Sequence, residues 1–545
     1  MPGIFPVWSH EEGIDQKQNR MPGLGRQSRK YLLAGFCLAI SLFLTYLYSP
    51  AWQHRNGNDY IWGKTPGLGH SNNTTVGTAD KITEPAFPPD YIYESEDQKN
   101  CERVYGGSYL THIATHQHSY CDARSPGQIQ CFEAPRLGTP WTSDWQKDPM
   151  CIARGVLYNP PSSASNLVTA NTFTVQCDPR LPSQDVAGTP EQGNAFPPLD
   201  KMGIYWFETG IGTQFKEWDF DARKDNNCSK TVDDPSWILL ARREQNRNIW
   251  HKLMEPWQAM LTMDALQMAI NPETSKPWLG ETDASSVQVV FEDDREEIYD
   301  DWWKMVTGNP PIRRSAIPPG TCFRNVILPL AGSSSPFWTA LLESVYHETC
   351  RTQFLLDTFL RRVYKFLELT PRAPSDIHVD PTITIIERKD TRKFIDLDRW
   401  VEILRLKYRK SSINVVDFAD LTLKEQVKLV QSTDVLVGHH GAAMTHVLFL
   451  PPEAAVVEIM PPFFEMRGFR SVARMRGLAH FSARCMWPEE WNATVNGVPL
   501  PEGWQPPQTK AGWQEAEWAY MTEENFVGYV EAAVRHQQNR RYDGI

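Results

Sequence analysis

The residues best suited to chemistry in this chain form one block, Asp434-Val-Leu-Val-Gly-His-His-Gly-Ala-Ala-Met-Thr-His446. An apolar run enters Gly438, passes through His439-His440-Gly441, and gives way to a helical pattern at Ala442. Glycine lets backbone approach a ligand closely, and a new helix turns its unpaired N–H groups and positive dipole end toward whatever lies above the strand. A diphosphate suits that environment, with Gly438, His439, Gly441, Ala442 and Thr445 as candidate binding residues; a purely structural loop fits the pattern as well. A second cluster, Ile385-Ile-Glu-Arg-Lys-Asp-Thr-Arg-Lys393, puts Arg388, Arg392 and Lys393 in one turn. Arginine can grip phosphate with two parallel hydrogen bonds, although a solvated charged turn would look the same. A third, Asn248-Ile-Trp-His251-Lys-Leu-Met-Glu255, sets His251 and Glu255 four residues apart on one helical face. Either could take a proton as a general base, and a structural pair is the competing reading. Glu292-Asp293-Asp294 reads as a solvated acidic turn, so no metal site and no obligatory metal are expected.

The elements around these residues favour a parallel sheet in the C-terminal half. Thr382–Ile386, Ile413–Phe418, Asp434–Val437 and Ala454–Met460 read as strands, separated by helical patterns over Leu397–Tyr408 and Ala442–Phe449. Thr422-Leu-Lys-Glu425 is a capping box that opens a helix with Leu423, Val427 and Val430 on one face. Alternating strands and helices with short loops predict a doubly wound sheet, whose carboxyl edge is where ligands bind. Near the end, Phe526, Tyr529, Val530, Ala533 and Val534 form one apolar helical stripe. The N-terminal half is harder to parse. Cys101 to Cys228 is turn-rich, Trp237–Leu240 and Val287–Phe291 read as strands, and Ile249–Met268 and Phe337–Phe366 as helical.

With 545 residues there is room for two or three domains. A net charge of −11 argues against sequence-independent nucleic-acid binding. The 20 tryptophans suit either sugar faces or a loop-rich core. Tyr31–Tyr48 is an uncharged apolar run preceded by Lys17, Arg20, Arg26, Arg29 and Lys30. Residues 31–49 therefore read as a type II signal anchor, with 1–30 cytosolic and the rest lumenal; a cleaved signal peptide is the alternative. Residues 50–95 read as a flexible stem. Nine cysteines follow the anchor without a C-x-x-C pair, which implies disulfides and at least one leftover thiol. Sequons at Asn72, Asn73, Asn227 and Asn492 are glycosylation candidates.

The block Val435–Pro461, VLVGHHGAAMTHVLFLPPEAAVVEIMP, resembles the hallmark of glycosyltransferase family 61: an apolar strand, a His-Gly-Ala loop, Phe-Leu-Pro-Pro and a strand ending in Glu and Pro. Leu423, Gln426 and Asp434 match the family's lead-in, while Ala443 and Met444 replace its Gly and Leu. The resemblance, to the fungal type, implies a GT-B-like pair of Rossmann-like domains with a central cleft. Residues 96–375 would form the acceptor side and 376–545 the nucleotide-sugar side, with the last helix able to pack back on the first domain. It implies an inverting transferase of the Golgi or endoplasmic reticulum membrane that moves GlcNAc or xylose from UDP-GlcNAc or UDP-xylose to a glycan or glycoprotein hydroxyl. Arg388, Arg392 and the backbone at Gly441 and Ala442 would hold the diphosphate, and His440 phosphate or sugar. Glu458 would accept ribose hydroxyls, and Glu255 or His251 would be the base. A catalytically silent carbohydrate-binding or scaffold member is the rival, and an esterase is disfavoured because no G-x-S-x-G elbow exists.

Overall fold

The computed structural model describes residues 86–540 except 93–98, 136–148, 161–171, 179–198, 222–227, 229–236, 339–349, 351–353, 374–379 and 487–493, with short gaps at 200–201, 204, 246, 496–497, 500–501, 503–504 and 506. The anticipated anchor, most of the stem and all four sequons lie outside the described residues. Among the described helices none is long and apolar enough to cross a membrane.

The N-terminal half builds a nine-stranded sheet from β1 (Gln117–Ser119), β2 (Gln128–Glu133), β3 (Pro149–Tyr158), β4 (Phe173–Val175), β5 (Trp218–Phe220), β6 (Trp237–Ala241), β7 (Gln288–Phe291), β8 (Ile312–Arg313) and β9 (Thr321–Leu328). Its order is β1-β2-β3-β9-β6-β7-β8, with β4 beside β3 and β5 beside β4. β9, β6, β7 and β8 run parallel. β3 lies antiparallel to β9, β2 and β4. The sheet is therefore mixed rather than fully Rossmann-like. The cysteine-rich lead-in supplies short links such as the one between β1 and β2, and a short link can only join antiparallel neighbours. Disulfides staple this region: Cys131–Cys151 joins partners on β2 and β3, and Cys121–Cys177, Cys228–Cys322 and Cys101–Cys350 tie longer loops. Cys485, buried, is the leftover thiol that the odd count required.

Helices α1 (Gly107–Thr115), α2 (Ile249–Met268) and α3 (Phe354–Leu367) cover one face of this sheet. Of the stretch Phe337–Phe366 expected to be helical, Phe354–Phe366 lies in α3 and Phe337 and Trp338 in a turn, while 339–349 and 351–353 lie outside the described residues. Asn248 caps α2, its Oδ1 accepting from Trp250 N at 2.9 Å. That cap fixes where the helix starts and therefore where His251 points.

The C-terminal sheet contains β10 (Ile383–Ile386), β11 (Ile413–Val416), β12 (Val435–His439), β13 (Ala455–Met460) and β14 (Ala479–Arg484). All neighbours are parallel, in the order β11-β10-β12-β13-β14. Alternate side chains divide it into two faces, as strand geometry requires. Ile383, Ile385, Val435 and Val457 pack with Trp400 of α4 (Leu397–Lys407) and Val530 of α7 (Glu523–Asn539). Leu436 and Val456 pack with Val427 of α5 (Leu423–Gln431), Val447 of the 3-10 helix Ala442–Phe449, and Val472 of α6 (Gly468–Met475). Among the described residues, helix α7 packs its apolar stripe on the C-terminal sheet. The second face belongs to the same core as Leu239, Ile327 and helix α2, so the two sheets share one continuous interior.

Several motif residues prove to be architectural. Asp434 accepts from Arg372 Nη2 at 2.5 Å and from Thr382 N at 2.8 Å, which ties the start of β12 to that of β10. Gln426 donates to the carbonyls of Phe418 and Leu421 at 2.7 and 2.8 Å and pairs with His446. The capping box closes as expected, with Thr422 and Glu425 exchanging side-chain and backbone bonds.

Residues 86–92, assigned from sequence to the stem, are strapped to this core instead. Tyr91 donates to Asp264 at 2.6 Å, and Arg362 grips both Asp90 and Asp264 at 2.7 Å. Asp264 is buried, so losing its guanidinium would strand a charge in low dielectric. Arg362→Met is expected to cost about 3 kcal/mol in denaturant unfolding, whereas Lys424→Met, which breaks the exposed pair with Glu368, should change stability by less than about 1 kcal/mol.

Candidate active site

In the strand order β11-β10-β12, the chain reverses direction of winding between β10 and β12. Loops leaving these two strands diverge to opposite faces, which opens a crevice at their carboxyl ends. Both sequence clusters land there: Arg388 and Arg392 follow β10, and His440 and Gly441 follow β12. A Cβ placed on Gly441 would sit 3.0 Å from Arg392 Nη1 and 3.2 Å from Arg388 Nη1. With φ at +153°, Gly441 also takes a conformation that side chains rarely adopt. The glycine is thus what lets two guanidiniums close on the backbone.

Neither arginine forms an ion pair with a carboxylate among the described residues. Arg388 donates to Thr391 O and Oγ1 at 2.9 and 2.8 Å, and Arg392 Nη1 donates to His440 O at 2.6 Å. Arg392 Nε is buried without a partner among the described residues. Burial, then the Arg388 charge, pull Arg392 down to about 10, and burial also lowers Arg388. Arg392 further adopts a left-handed φ of +55°, unfavourable outside glycine. Two half-buried cations held together at backbone cost could receive a compact anion.

A cavity of ≈ 470 Å³ opens beside them. The C-terminal half contributes Arg392, His440, Gly441, Phe469 and the rim carboxylate Glu515; the N-terminal half contributes Asn248, Trp250, His251 and Trp338. Each half presents one histidine backed by a buried glutamate. His251 Nδ1 lies 2.6 Å from Glu244 Oε2, and its ring meets Trp338 edge-on at 4.0 Å between centroids. His440 Nδ1 lies 2.6 Å from Glu458 Oε1, and Glu458 Oε2 lies 2.8 Å from His480 Nε2. Burial works to raise Glu458, but the two imidazoles outweigh it and hold the carboxyl below its usual range. A carboxylate on Nδ1 fixes ring orientation and favours the tautomer that carries its proton on Nδ1.

The remaining sequence candidates separate clearly. Glu458 is buried with both oxygens engaged by histidines, so it does not face the cavity as a ribose acceptor. His439 points to the other face of β12, stacks on Phe394 at 4.7 Å, and is held neutral by burial and then the nearby arginines. Thr445 is buried and donates to Ala442 O at 2.6 Å, closing its own helix. Gly438 makes room for Ile386 and Met444, each 2.9 Å from where a Cβ would stand, so it serves packing. Lys393 is committed to Glu517 at 2.6 Å and to the face of Trp518. Ala442 lines the cavity beside Gly441.

Glu255, a candidate base, is displaced from that role. It is buried among Glu244, Lys252 and Glu297, with Oε1 accepting from Glu244 N at 2.5 Å, and it is absent from the cavity lining. The i, i+4 spacing aligned it with His251, but the turn of α2 carries it under Gly332, whose Cβ would meet Glu255 Cγ at 3.0 Å. The acidic turn is paired with arginine rather than solvated. Arg242 binds Glu292 at 2.9 Å, and Arg243 binds Asp293 at 2.5 Å. Glu244 went unnoticed in the sequence, though its place just past the end of a buried parallel strand is where site residues gather. His480 carried no such signal.

This geometry gives an α/β protein with two guanidiniums at a topological switch point, an arrangement that could hold a compact anion, and a glutamate-backed histidine on each cavity wall. A family model described as Glycosyltransferase 61 matches residues 235–457. Among curated relatives, the EGF domain-specific O-linked N-acetylglucosamine transferase of Mus musculus is 25% identical over 286 residues, 51% of this chain and 50% of that protein. The Gallus gallus protein of the same name is 31% identical over 138 residues, 25% of each chain. The Beta-1,2-xylosyltransferase of Arabidopsis thaliana is 32% identical over 89 residues, 16% of this chain and 17% of that one. The chain spans about half the length of the curated relatives it matches. The matched region runs from just before β6 into β13 and carries residues of both cavity walls; it is a glycosyltransferase 61 region, in agreement with the resemblance read from Val435–Pro461.

Burial raises Glu255 to about 8, against an ordinary value of 4.5. The folded state therefore holds a proton that the unfolded chain releases, so this contribution to stability is complete below pH 4.5 and declines as pH rises toward about 8. Melting temperature against pH should show that decline, and Glu255→Gln should flatten it. An equal decline in the variant would assign the effect elsewhere.

Proposed function

We propose that the protein is an inverting glycosyltransferase that moves a sugar from a nucleotide-diphosphate donor to a hydroxyl of a glycan or glycoprotein. The single observation that carries this reading is the pair of guanidiniums at Gly441, neither in an ion pair among the described residues, with Arg392 lining the same cavity as His251, which Glu244 orients. The donor diphosphate lies against Arg388, Arg392 and the backbone at Gly441 and Ala442. In-line displacement requires the nucleophile and leaving group on opposite sides of the anomeric carbon. His251 stands on the wall of the N-terminal half, whereas His440 adjoins Gly441 on the leaving-group side.

His251, oriented by Glu244, takes the proton of the acceptor hydroxyl as its oxygen bonds to the anomeric carbon. The bond from that carbon to the diphosphate oxygen breaks, and the departing charge passes to the two guanidiniums. His440, oriented by Glu458, binds phosphate or sugar oxygen next to them. Arginines and oriented backbone N–H groups neutralise the diphosphate in this scheme, so no obligatory metal is invoked. The named relatives favour UDP-GlcNAc or UDP-xylose as donor. The parallel C-terminal sheet and the cavity between the halves support a GT-B-like arrangement. The apolar run 31–49 and the disulfides support a type II lumenal enzyme of the Golgi or endoplasmic reticulum.

Transfer assays with UDP-GlcNAc and UDP-xylose test this scheme. His251→Ala should lower kcat by about 100-fold or more with the donor KM unchanged, the share of a general base. Arg388→Ala and His440→Ala should each lower kcat/KM by about 100-fold or more while far-UV circular dichroism stays unchanged. Full turnover in the His251 variant would remove it as base, and full turnover in the other two would remove the donor map.

A further inference from the structure

Beside His251, the segment from Met202 to Thr213 is folded in an unusual way. Three non-glycine residues, Tyr205, Phe207 and Glu208, have φ of +53°, +55° and +55°. Each such residue costs free energy, and a run of them persists only where surrounding structure over-determines the chain. Here glycines supply the constraint. A Cβ on Gly210 would collide with Gly203 O, and one on Gly212 with Met202 O, so the two ends of the loop press backbone on backbone. Gly212 N donates to Gly203 O at 3.0 Å and Thr213 N to Gly210 O at 2.9 Å, while Ile211 and Met202 root the base in the core.

What this strained turn presents is Phe207. It is 49% exposed. The ring meets the His251 imidazole edge to face, at 5.8 Å between centroids and 71° between planes. His251 and Trp338 line the cavity together, and Phe207, outside that lining, adjoins the same imidazole. A rigid aromatic face offers the C–H side of a pyranose ring a dry contact that needs no charge.

We infer that Phe207 is the platform on which the acceptor sugar stacks, so that the accepting group is a pyranose, set with one hydroxyl toward His251. This rests on the donor-and-base reading above, and it names the substrate class on the side that reading left open. The glycine-locked loop is then a specificity device. Backbone strain holds the ring in place before the acceptor arrives, which lowers the ordering cost of binding.

An array of immobilised mono- and oligosaccharide pyranosides, probed with the protein in the presence of UDP, tests this directly. The wild type and Phe207→Trp are expected to bind the same pyranosides, with Phe207→Ala and Phe207→Leu about tenfold weaker or more. Leucine keeps apolar bulk without a π-face, so it separates stacking from mere packing. Stabilisation by UDP in thermal melts should be equal in all four proteins, which reports both folding and an intact donor side. Equal array signals in the Leu variant, or no pyranoside bound by a wild type that still responds to UDP, would overturn the inference. A wild type that does not respond to UDP would instead strike the donor reading on which it rests.

Discussion

Two guanidinium groups pressed together, with no ion pair to a carboxylate among the described residues, are the feature around which the C-terminal half is organised. Like charges at short range repel, and partial burial removes some of the water around both. The fold accepts this at Arg388 and Arg392, and it accepts a left-handed backbone at Arg392 as well. Elsewhere in the molecule buried arginines are treated differently. Arg243 is matched to Asp293 and Asp300, and Arg362 to Asp90 and Asp264. Against that background the pair at Gly441, which forms no ion pair among the described residues, stands apart.

Everything nearby follows from making that pair possible. The strand order puts the ends of β10 and β12 side by side with diverging loops, so residues 49 positions apart in sequence, Arg392 and Gly441, can converge. Gly438 lets Met444 and Ile386 close over the strand, and Asp434 pins the two strands at their other ends. Helix α2 then carries the facing wall. Its Asn248 cap sets the first turn, and Glu244 at the end of β6 fixes the His251 ring. Because the two sheets share one core, the spacing between walls is set by packing rather than by a hinge alone.

Much of this was legible in the sequence where local rules are strong. Strand–helix alternation after residue 382, the capping box at Thr422 and the apolar stripe ending at Val534 all became the elements expected. Arg388, Arg392, His440 and Gly441 came together because a glycine turn and a basic turn at parallel strand ends have few other ways to meet. What failed were inferences from spacing alone. Glu255 shared a helical face with His251, yet burial direction is decided by tertiary packing, and it turned inward toward Lys252. Glu458 looked like a strand-end ligand, but His480, remote in sequence, completed a buried pair of contacts with it. The mixed sheet was hidden because its short strands are stabilised by disulfides rather than by a long apolar pattern.

Titration calorimetry of UDP against the wild type, Arg388→Met and Arg392→Met addresses the paired cations most directly. Methionine keeps the stem and removes the charge, so packing is largely preserved. The account predicts that UDP binds the wild type and that each variant weakens it by about tenfold or more. A wild type that ignores UDP, or variants that bind it as tightly, would contradict the claim that these two guanidiniums await a diphosphate.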